Sequence, residues 1–190
     1  MSVRSQPFEF LDKVCLAASS APHGCSNAPT WELMVDGPLP EAALRQAVSW
    51  LAVVYPWCNA QVVPLNGDRN TASRFAWQWD GEASADRLVE CVSVPESELD
   101  RFRATIHDRF LDLFEAPPFV LVAAQVGERR QHLFLKQHHG LADGRAFLEL
   151  LTTLTGFINV ALAGGQPDAN ELVPAPRRPE LDAFGFSPLQ

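Results

Sequence analysis

Apolar residues recur every three or four positions in three stretches of the chain, which is the period of an amphipathic helix. The stretch PEAALRQAVSWLAVVYP predicts a helix between Pro40 and Pro56, because proline suits a first turn and stops a helix. The stretch PESELDRFRATIHDRFLDLF predicts a second helix, with an apolar face made of Leu99, Phe102, Ile106, Phe110 and Leu113. A third helix is predicted after Gly144, with a face made of Phe147, Leu150, Leu151, Leu154, Phe157, Ile158 and Ala161.

Shorter apolar segments between these helices predict strands. TWELMVD, CNAQVVPL and LVECVSV are three such segments, and SRFAWQW alternates so that Phe75, Trp77 and Trp79 share one face. These three aromatic side chains are expected either in the core or, alternatively, on an exposed face that receives a second lobe. The runs FVLVAAQV and HLFLKQH, separated by GERRQ, predict an antiparallel hairpin with a loop longer than two residues.

Strands mixed with three helices predict the α/β class, in the form of an α+β two-layer sandwich whose helices cover a mixed or antiparallel sheet. The 190 residues are enough for one sizeable core. Residues 1–165 are predicted to form a single domain. Residues 166–190 collect Gly, Pro and polar residues, which predicts a linker or tail.

Composition narrows the classes of function. The formal net charge of −8 argues against a protein that binds nucleic acid through clustered Lys and Arg. The four cysteines lie far apart and form no CxxC pair, so disulfides are not required and a cytoplasmic location is expected. No secretion signal is expected, because the N-terminus MSVRSQPFEF lacks a long apolar segment. No membrane span is expected, because no 18 consecutive residues are uninterruptedly apolar.

Two adjacent histidines in FLKQHHGLADGRAF are the strongest chemical feature of the sequence. If residues 132–139 form a strand, His138 and His139 point to opposite faces and cannot easily serve the same substrate atom. Periodicity alone does not say which of the two does chemistry. Asp143, at the change from strand to helix, is placed to cap the helix or to orient an imidazole. Gly144 then permits a close approach of the backbone.

Other interpretations of this segment remain open on spacing alone. The plainest is two core or surface histidines followed by a capping aspartate. A metal site could draw on His132, His138, His139 and Asp143, although alternating faces oppose the convergence of ligands that zinc requires. A serine hydrolase is less favoured, because the sequence contains no GxSxG.

The segment HHGLADG resembles the HHxxxDG signature of the chloramphenicol acetyltransferase-like superfamily. That superfamily includes the condensation domains of nonribosomal peptide synthetases, polyketide-associated acyltransferases and wax ester synthases. The hairpin before the motif and the helix FLELLTTL after it are also similar, as are the first strand, helix and second strand in ELMVDGPLPEAALRQAVSWLAVVYPWCNAQVV. The resemblance covers about residues 7–162. Tyr55 and Pro56 stand where the family has a His-Pro pair.

The resemblance implies a function. It assigns catalysis to His139, as general base for an acceptor hydroxyl or amine that attacks a thioester, and to Asp143, which organises the site through an arginine. His138 and Gly144 support the motif, and Arg4 and Arg145 are candidate arginines. The donor would be acyl-CoA or a phosphopantetheine thioester on an acyl-carrier protein, and no cofactor would be bound permanently.

The resemblance also implies that the chain corresponds to the N-terminal lobe alone. A second lobe or a homo-oligomer partner would then complete the substrate tunnel. The alternative function is a non-catalytic isolated or degenerate lobe that acts as a docking module for a carrier protein.

Overall fold

A computed structural model describes residues 4–8, 16, 28–70, 72, 74–79, 85–142 and 144–174, without the side chains of Arg4 and Gln6. The strands are β1 (Arg4–Pro7), β2 (Thr30–Asp36), β3 (Gln61–Pro64), β4 (Phe75–Trp79), β5 (Val89–Val94), β6 (Phe119–Val126) and β7 (Arg130–Gln137). The helices are α1 (Glu41–Val54), α2 (Leu99–Asp108) and α3 (Gly144–Leu162). Short 3-10 turns lie at Pro56–Asn59 and Glu96–Glu98.

The strands form two sheets. A four-stranded sheet has the order β2-β7-β6-β5, with β5 and β6 parallel and the other pairs antiparallel. A three-stranded antiparallel sheet has the order β1-β4-β3. The hairpin β6–β7 pairs Val126 with Arg130, and Gly127 in its three-residue loop adopts a φ of 62°, which glycine tolerates without steric cost. The fold is therefore the expected α/β arrangement of helices on a mixed sheet.

Helices cover both faces of the four-stranded sheet. On one face, Leu133 and Leu135 of β7 belong to the same apolar cluster as α1 and α3. On the other face, Phe134 packs against α2, where its ring lies 5.7 Å from that of Phe102. Strand β7 is consequently buried on both sides, and all of its residues from Gln131 to Gln137 are buried.

The predicted helix between Pro40 and Pro56 and the predicted apolar face of α3 are confirmed, but the prediction for α2 was too long. Helix α2 ends at Asp108, because Arg109 adopts an extended backbone and its guanidinium pairs with Glu90. Phe110 is therefore exposed, and Leu113 reaches the core from an irregular segment and not from a helix. Apolar residues continue to recur every three to four positions beyond Asp108, although the helix ends there.

The second correction concerns the end of β7, which was expected at residue 139. The strand ends at Gln137, so both adjacent histidines lie in the loop that follows. The aromatic residues of β4 belong to the core, with Trp77 buried and Phe75 and Trp79 packed at its margin. Their alternative placement on an exposed face is wrong for Trp77.

Helix α3 is long and apolar enough, by length and composition alone, to cross a membrane; no other helix of the described ranges is. Core helices of globular proteins pass the same test. In this structure Phe147, Leu150, Leu154, Phe157 and Ile158 of α3 are buried in the core cluster.

Candidate functional site

The two adjacent histidines lie in a tight turn directly after β7. The backbone N–H of His138 donates to the carbonyl oxygen of Pro118 at 2.7 Å, which fixes the start of the turn. The N–H of Leu141 then donates to the carbonyl oxygen of His138 at 2.8 Å, which closes it. His139 and Gly140 are thus the two central residues of a turn held at both ends by backbone hydrogen bonds.

His138 is buried beneath this turn, with 2% of its surface exposed. Its Nδ1 accepts a hydrogen bond from the backbone N–H of Gly140 at 3.0 Å. Nδ1 is therefore unprotonated, and in the neutral ring the hydrogen is on Nε2. Burial, together with the neighbouring charge of His139, lowers the pKa of His138 from 6.5 to about 4. His138 is consequently neutral at pH 7 and serves as an internal brace of the turn.

His139 is exposed at the tip of the same turn. The residues that follow it are anchored, because Leu141 and Ala142 are buried and the Gln137 side-chain amide donates to the Ala142 carbonyl oxygen at 3.3 Å. The imidazole of His139 is therefore presented to solvent by a backbone that is fixed on both sides. Of the two histidines, it is the one whose side chain is exposed.

Gly140 is a residue of this site that the sequence did not single out. A Cβ at this position would lie 3.1 Å from Nδ1 of His138 and 3.2 Å from Cζ2 of Trp77. Both of those rings are buried, so a side chain at position 140 would displace packed neighbours. Trp77 belongs to β4, so this contact links the three-stranded sheet to the histidine turn. The only signal in the sequence is a glycine at one of the three unspecified positions of the motif.

Other motif positions are less defined. Asp143 lies outside the described residues, and so does the side chain of Arg4. The exposed Arg145 has its Nε 3.5 Å from a carboxylate oxygen of Glu149. The pairing of Asp143 with an arginine therefore stays a prediction. Gly144 begins α3, and a Cβ built there meets nothing within 4 Å, so it faces open space.

The third histidine of this region, His132, lies near the start of β7 and is separate from the turn. Its Nδ1 is 2.6 Å from a carboxylate oxygen of Glu32, which also accepts hydrogen bonds from Arg103. Burial alone would raise the pKa of Glu32, but these hydrogen bonds outweigh it and leave the pKa lowered. Within the described ranges, no three His, Cys, Asp or Glu side chains come together as a metal site would require.

Comparison with solved structures identifies the architecture. The condensation domain from the Monacolin K polyketide synthase MokA matches 88% of this chain with a TM-score of 0.72 and 13% identity. The first condensation domain of the CDA synthetase matches 87% with a TM-score of 0.67 and 17% identity. The chain has a condensation-domain fold. The X-domain from teicoplanin biosynthesis, solved in complex with OxyB, has the same fold and matches 83% with a TM-score of 0.69 and 20% identity.

The match covers only part of each condensation-domain structure. The chain spans 36% of the MokA structure, 42% of the CDA synthetase structure and 33% of the X-domain structure. No protein-family model matches the sequence, and no curated protein matches it significantly. The condensation-domain fold is thus recognised by its three-dimensional arrangement at identities of 13–20%.

Proposed function

We propose that the chain is a lobe of an acyltransferase that moves an acyl group from a thioester to a hydroxyl or amine. The donor would be acyl-CoA or an acyl group on the phosphopantetheine arm of a carrier protein. His139 is the general base and Asp143 organises the site, while His138 and Gly144 support the motif. The condensation-domain fold supports the class of the protein, and the HHGLADG segment supports the reaction.

The reaction is a single acyl transfer. Nε2 or Nδ1 of His139 takes the proton of the acceptor O–H or N–H while the acceptor oxygen or nitrogen attacks the thioester carbonyl. A new ester or amide bond forms, the carbon–sulfur bond breaks, and the proton held by His139 passes to the departing sulfur, so that CoA or the carrier leaves as its thiol. General-base catalysis by a positioned imidazole contributes about 10²–10⁴-fold.

The observation that carries the proposal is the difference in burial and hydrogen bonding between two neighbouring imidazoles. His138 is buried and its Nδ1 is engaged by Gly140, whereas His139 is exposed on a turn with fixed ends. An arrangement of this kind supplies what a general base needs, namely access to a substrate and a defined position.

The test compares His139→Ala with His107→Ala. His107 is also exposed, but it lies on α2, on the opposite face of the four-stranded sheet. The full chain is incubated with a panel of acyl-CoA and carrier-protein thioesters and with alcohol and amine acceptors. Transfer is expected in the parent and in His107→Ala, and a loss of about 10²–10⁴-fold in His139→Ala. Equal transfer rates in the two variants would contradict a base at position 139.

A second candidate function is a docking module without transfer activity. It is favoured by the similarity to the X-domain that was solved in complex with OxyB, and by the fact that this chain spans a third to two fifths of the matched structures. Binding of a loaded carrier protein, measured by titration calorimetry, distinguishes the two candidates. Binding of equal strength in parent and His139→Ala, with no transfer by either, would favour the docking module.

A further inference from the structure

Gln137 is a polar residue in an apolar position of the four-stranded sheet. It is the last residue of β7 and shares a face of that strand with Leu133 and Leu135, which belong to the core cluster. Only 1% of its surface is exposed. An apolar side chain at this position would pack without the cost of burying an amide. Any advantage of glutamine here must therefore come from the hydrogen bonds of its amide.

The amide of Gln137 makes a single hydrogen bond within the part of the chain that the structure describes. Its Nε2 donates to the carbonyl oxygen of Ala142 at 3.3 Å. Because a carbonyl oxygen can only accept, this contact decides which end of the amide faces Ala142. Oε1 is turned away, and it is buried without a hydrogen-bond partner among the described residues. A buried acceptor of this kind lowers stability, so the amide as a whole adds little to the stability of the fold.

This hydrogen bond joins the two ends of the histidine turn. Gln137 immediately precedes His138, and Ala142 immediately precedes Asp143. The N–H of Gln137 donates to the carbonyl oxygen of Pro29 at 3.2 Å, which fixes the glutamine to the chain at the start of β2. The carbonyl of Ala142 belongs to the planar peptide bond that leads into Asp143. The side chain of Gln137 therefore fastens the exit of the turn to the sheet.

We propose that Gln137 is a positioning residue, which holds the exit of the histidine turn so that the backbone carrying His139 is fastened at both ends. The entrance of the turn is fastened separately, by the N–H of His138 on the carbonyl oxygen of Pro118. The role rests on the proposed acyl transfer, in which His139 must meet the acceptor in a defined position. Because Gln137 is buried, it acts through the backbone and not by contact with a substrate.

Gln131 offers a matched control on the same strand. It lies on the same face of β7 as Gln137, and it is also buried, with 5% of its surface exposed. Its Oε1 accepts the backbone N–H of Leu39 at 2.9 Å. This bond satisfies a backbone donor far from the histidine turn, so it contributes to stability and not to the site.

The test replaces each glutamine by methionine, an unbranched side chain that has no hydrogen-bond donor. Gln137→Met should keep a thermal midpoint close to that of the parent, because loss of the bond is offset by removal of the unsatisfied Oε1. In the thioester panel its kcat should fall about ten- to a hundredfold with little change in KM. Gln131→Met should show the reverse, namely a lower thermal midpoint and an unchanged kcat.

Hydrogen exchange gives a second measurement that does not depend on transfer. The amide of Leu141 donates to the carbonyl oxygen of His138 within the turn, so its exchange reports local opening of the turn. In Gln137→Met this amide should exchange about tenfold faster, while the amide of Leu121, which donates to Leu88, should keep the rate of the parent. If the parent transfers no acyl group, the proposed function fails, and the exchange rates still decide the role of Gln137.

Gln137→Glu tests the hydrogen bond itself through a pH-dependent rescue. A protonated carboxyl group can donate to the carbonyl oxygen of Ala142, whereas a carboxylate has no hydrogen to donate. Burial raises the pKa of the introduced group, so its defects in transfer and in Leu141 exchange should shrink as the pH falls from about 8.5 to 6. Each defect is taken as a ratio to the parent at the same pH, which cancels the shared titration of His138 and His139.

Three results would overturn the proposal. The first is transfer and Leu141 exchange in Gln137→Met equal to those of the parent. The second is a thermal midpoint of Gln137→Met lowered as far as that of Gln131→Met, with transfer lost equally in both, because the bond would then serve stability alone. The third is a defect of Gln137→Glu that does not change with pH while the variant keeps the circular dichroism spectrum of the parent.

Discussion

Replacement of His138 by asparagine should remove a specific part of the acid sensitivity of this protein. His138 is buried, and its Nδ1 accepts the N–H of Gly140. The side-chain oxygen of an asparagine can accept the same N–H, but it does not titrate. The substitution therefore keeps the brace of the turn and removes the proton-binding group.

The expected magnitude follows from the pKa. Burial, with the neighbouring charge of His139, lowers the pKa of His138 from 6.5 to about 4. Because the unfolded chain binds the proton more tightly than the folded chain, stability is fully present above pH 6.5 and is lost as the pH falls toward 4. At ~1.36 kcal/mol for each pH unit, this displacement corresponds to about 3 kcal/mol of unfolding free energy.

Urea unfolding at a series of pH values measures this quantity. Carboxylates also titrate in this range, so the informative value is the difference in unfolding free energy between parent and His138→Asn at each pH. The substitution will lower stability at pH 7, because the smaller side chain packs less well. That loss should shrink by about 3 kcal/mol between pH 7 and pH 4, since only the parent is further destabilised by protonation.

His139→Asn is the control for the second cause of the lowered pKa of His138, which is the charge of His139. It removes the neighbouring charge but leaves His138 buried, and burial is the larger cause. Most of the pH dependence should therefore remain in this variant. A difference between parent and His138→Asn that stays constant from pH 7 to pH 4 would refute the assignment of His138 as a buried neutral brace.

Two further predictions concern packing around the site and on the far side of β7. Gly140→Ala should lower the unfolding free energy by about 1–3 kcal/mol, because the added methyl group would crowd His138 and Trp77. Gly144→Ala should cause no loss of unfolding free energy in the same urea titration. Glu32→Ala should cost about 1–3 kcal/mol, because buried His132 loses the carboxylate on its Nδ1. Asp100→Ala removes the second carboxylate partner of Arg103, which is 94% exposed, and should leave the thermal midpoint unchanged. Equal losses of stability in Glu32→Ala and Asp100→Ala would contradict the role of Glu32.

The sequence predicted the elements that depend on local periodicity. The helical faces of α1 and α3 and the β6–β7 hairpin follow from apolar spacing, because each buries a continuous side against the core. The end of β7 was missed because it depends on the partner strand. The N–H of His138 still donates to the carbonyl oxygen of Pro118 in the register of the β6–β7 pairing, but Pro118 has no N–H to donate in return, and the pairing ends there.

Polar residues within β7 were also outside the reach of periodicity. Lys136 is fully buried, and its ammonium donates to the carbonyl oxygens of Ala28 and His107, each at 2.9 Å. Burial and the nearby charge of Arg109 lower its pKa. In a sequence, an alternating polar residue predicts a solvent-facing side of a strand. Here α2 covers that side, and the acceptors that make burial tolerable lie far away in the chain.

The same reasoning explains why spacing along the chain could not by itself distinguish His139 from the other histidines of this segment. His132 is held by Glu32, and His138 is held by Gly140 under the turn. Each of these contacts is made because the imidazole is buried and must be satisfied. His139 is exposed on a turn whose backbone is fixed by the buried residues on either side. The backbone that carries His139 is thus held by buried neighbours, while its own side chain remains exposed.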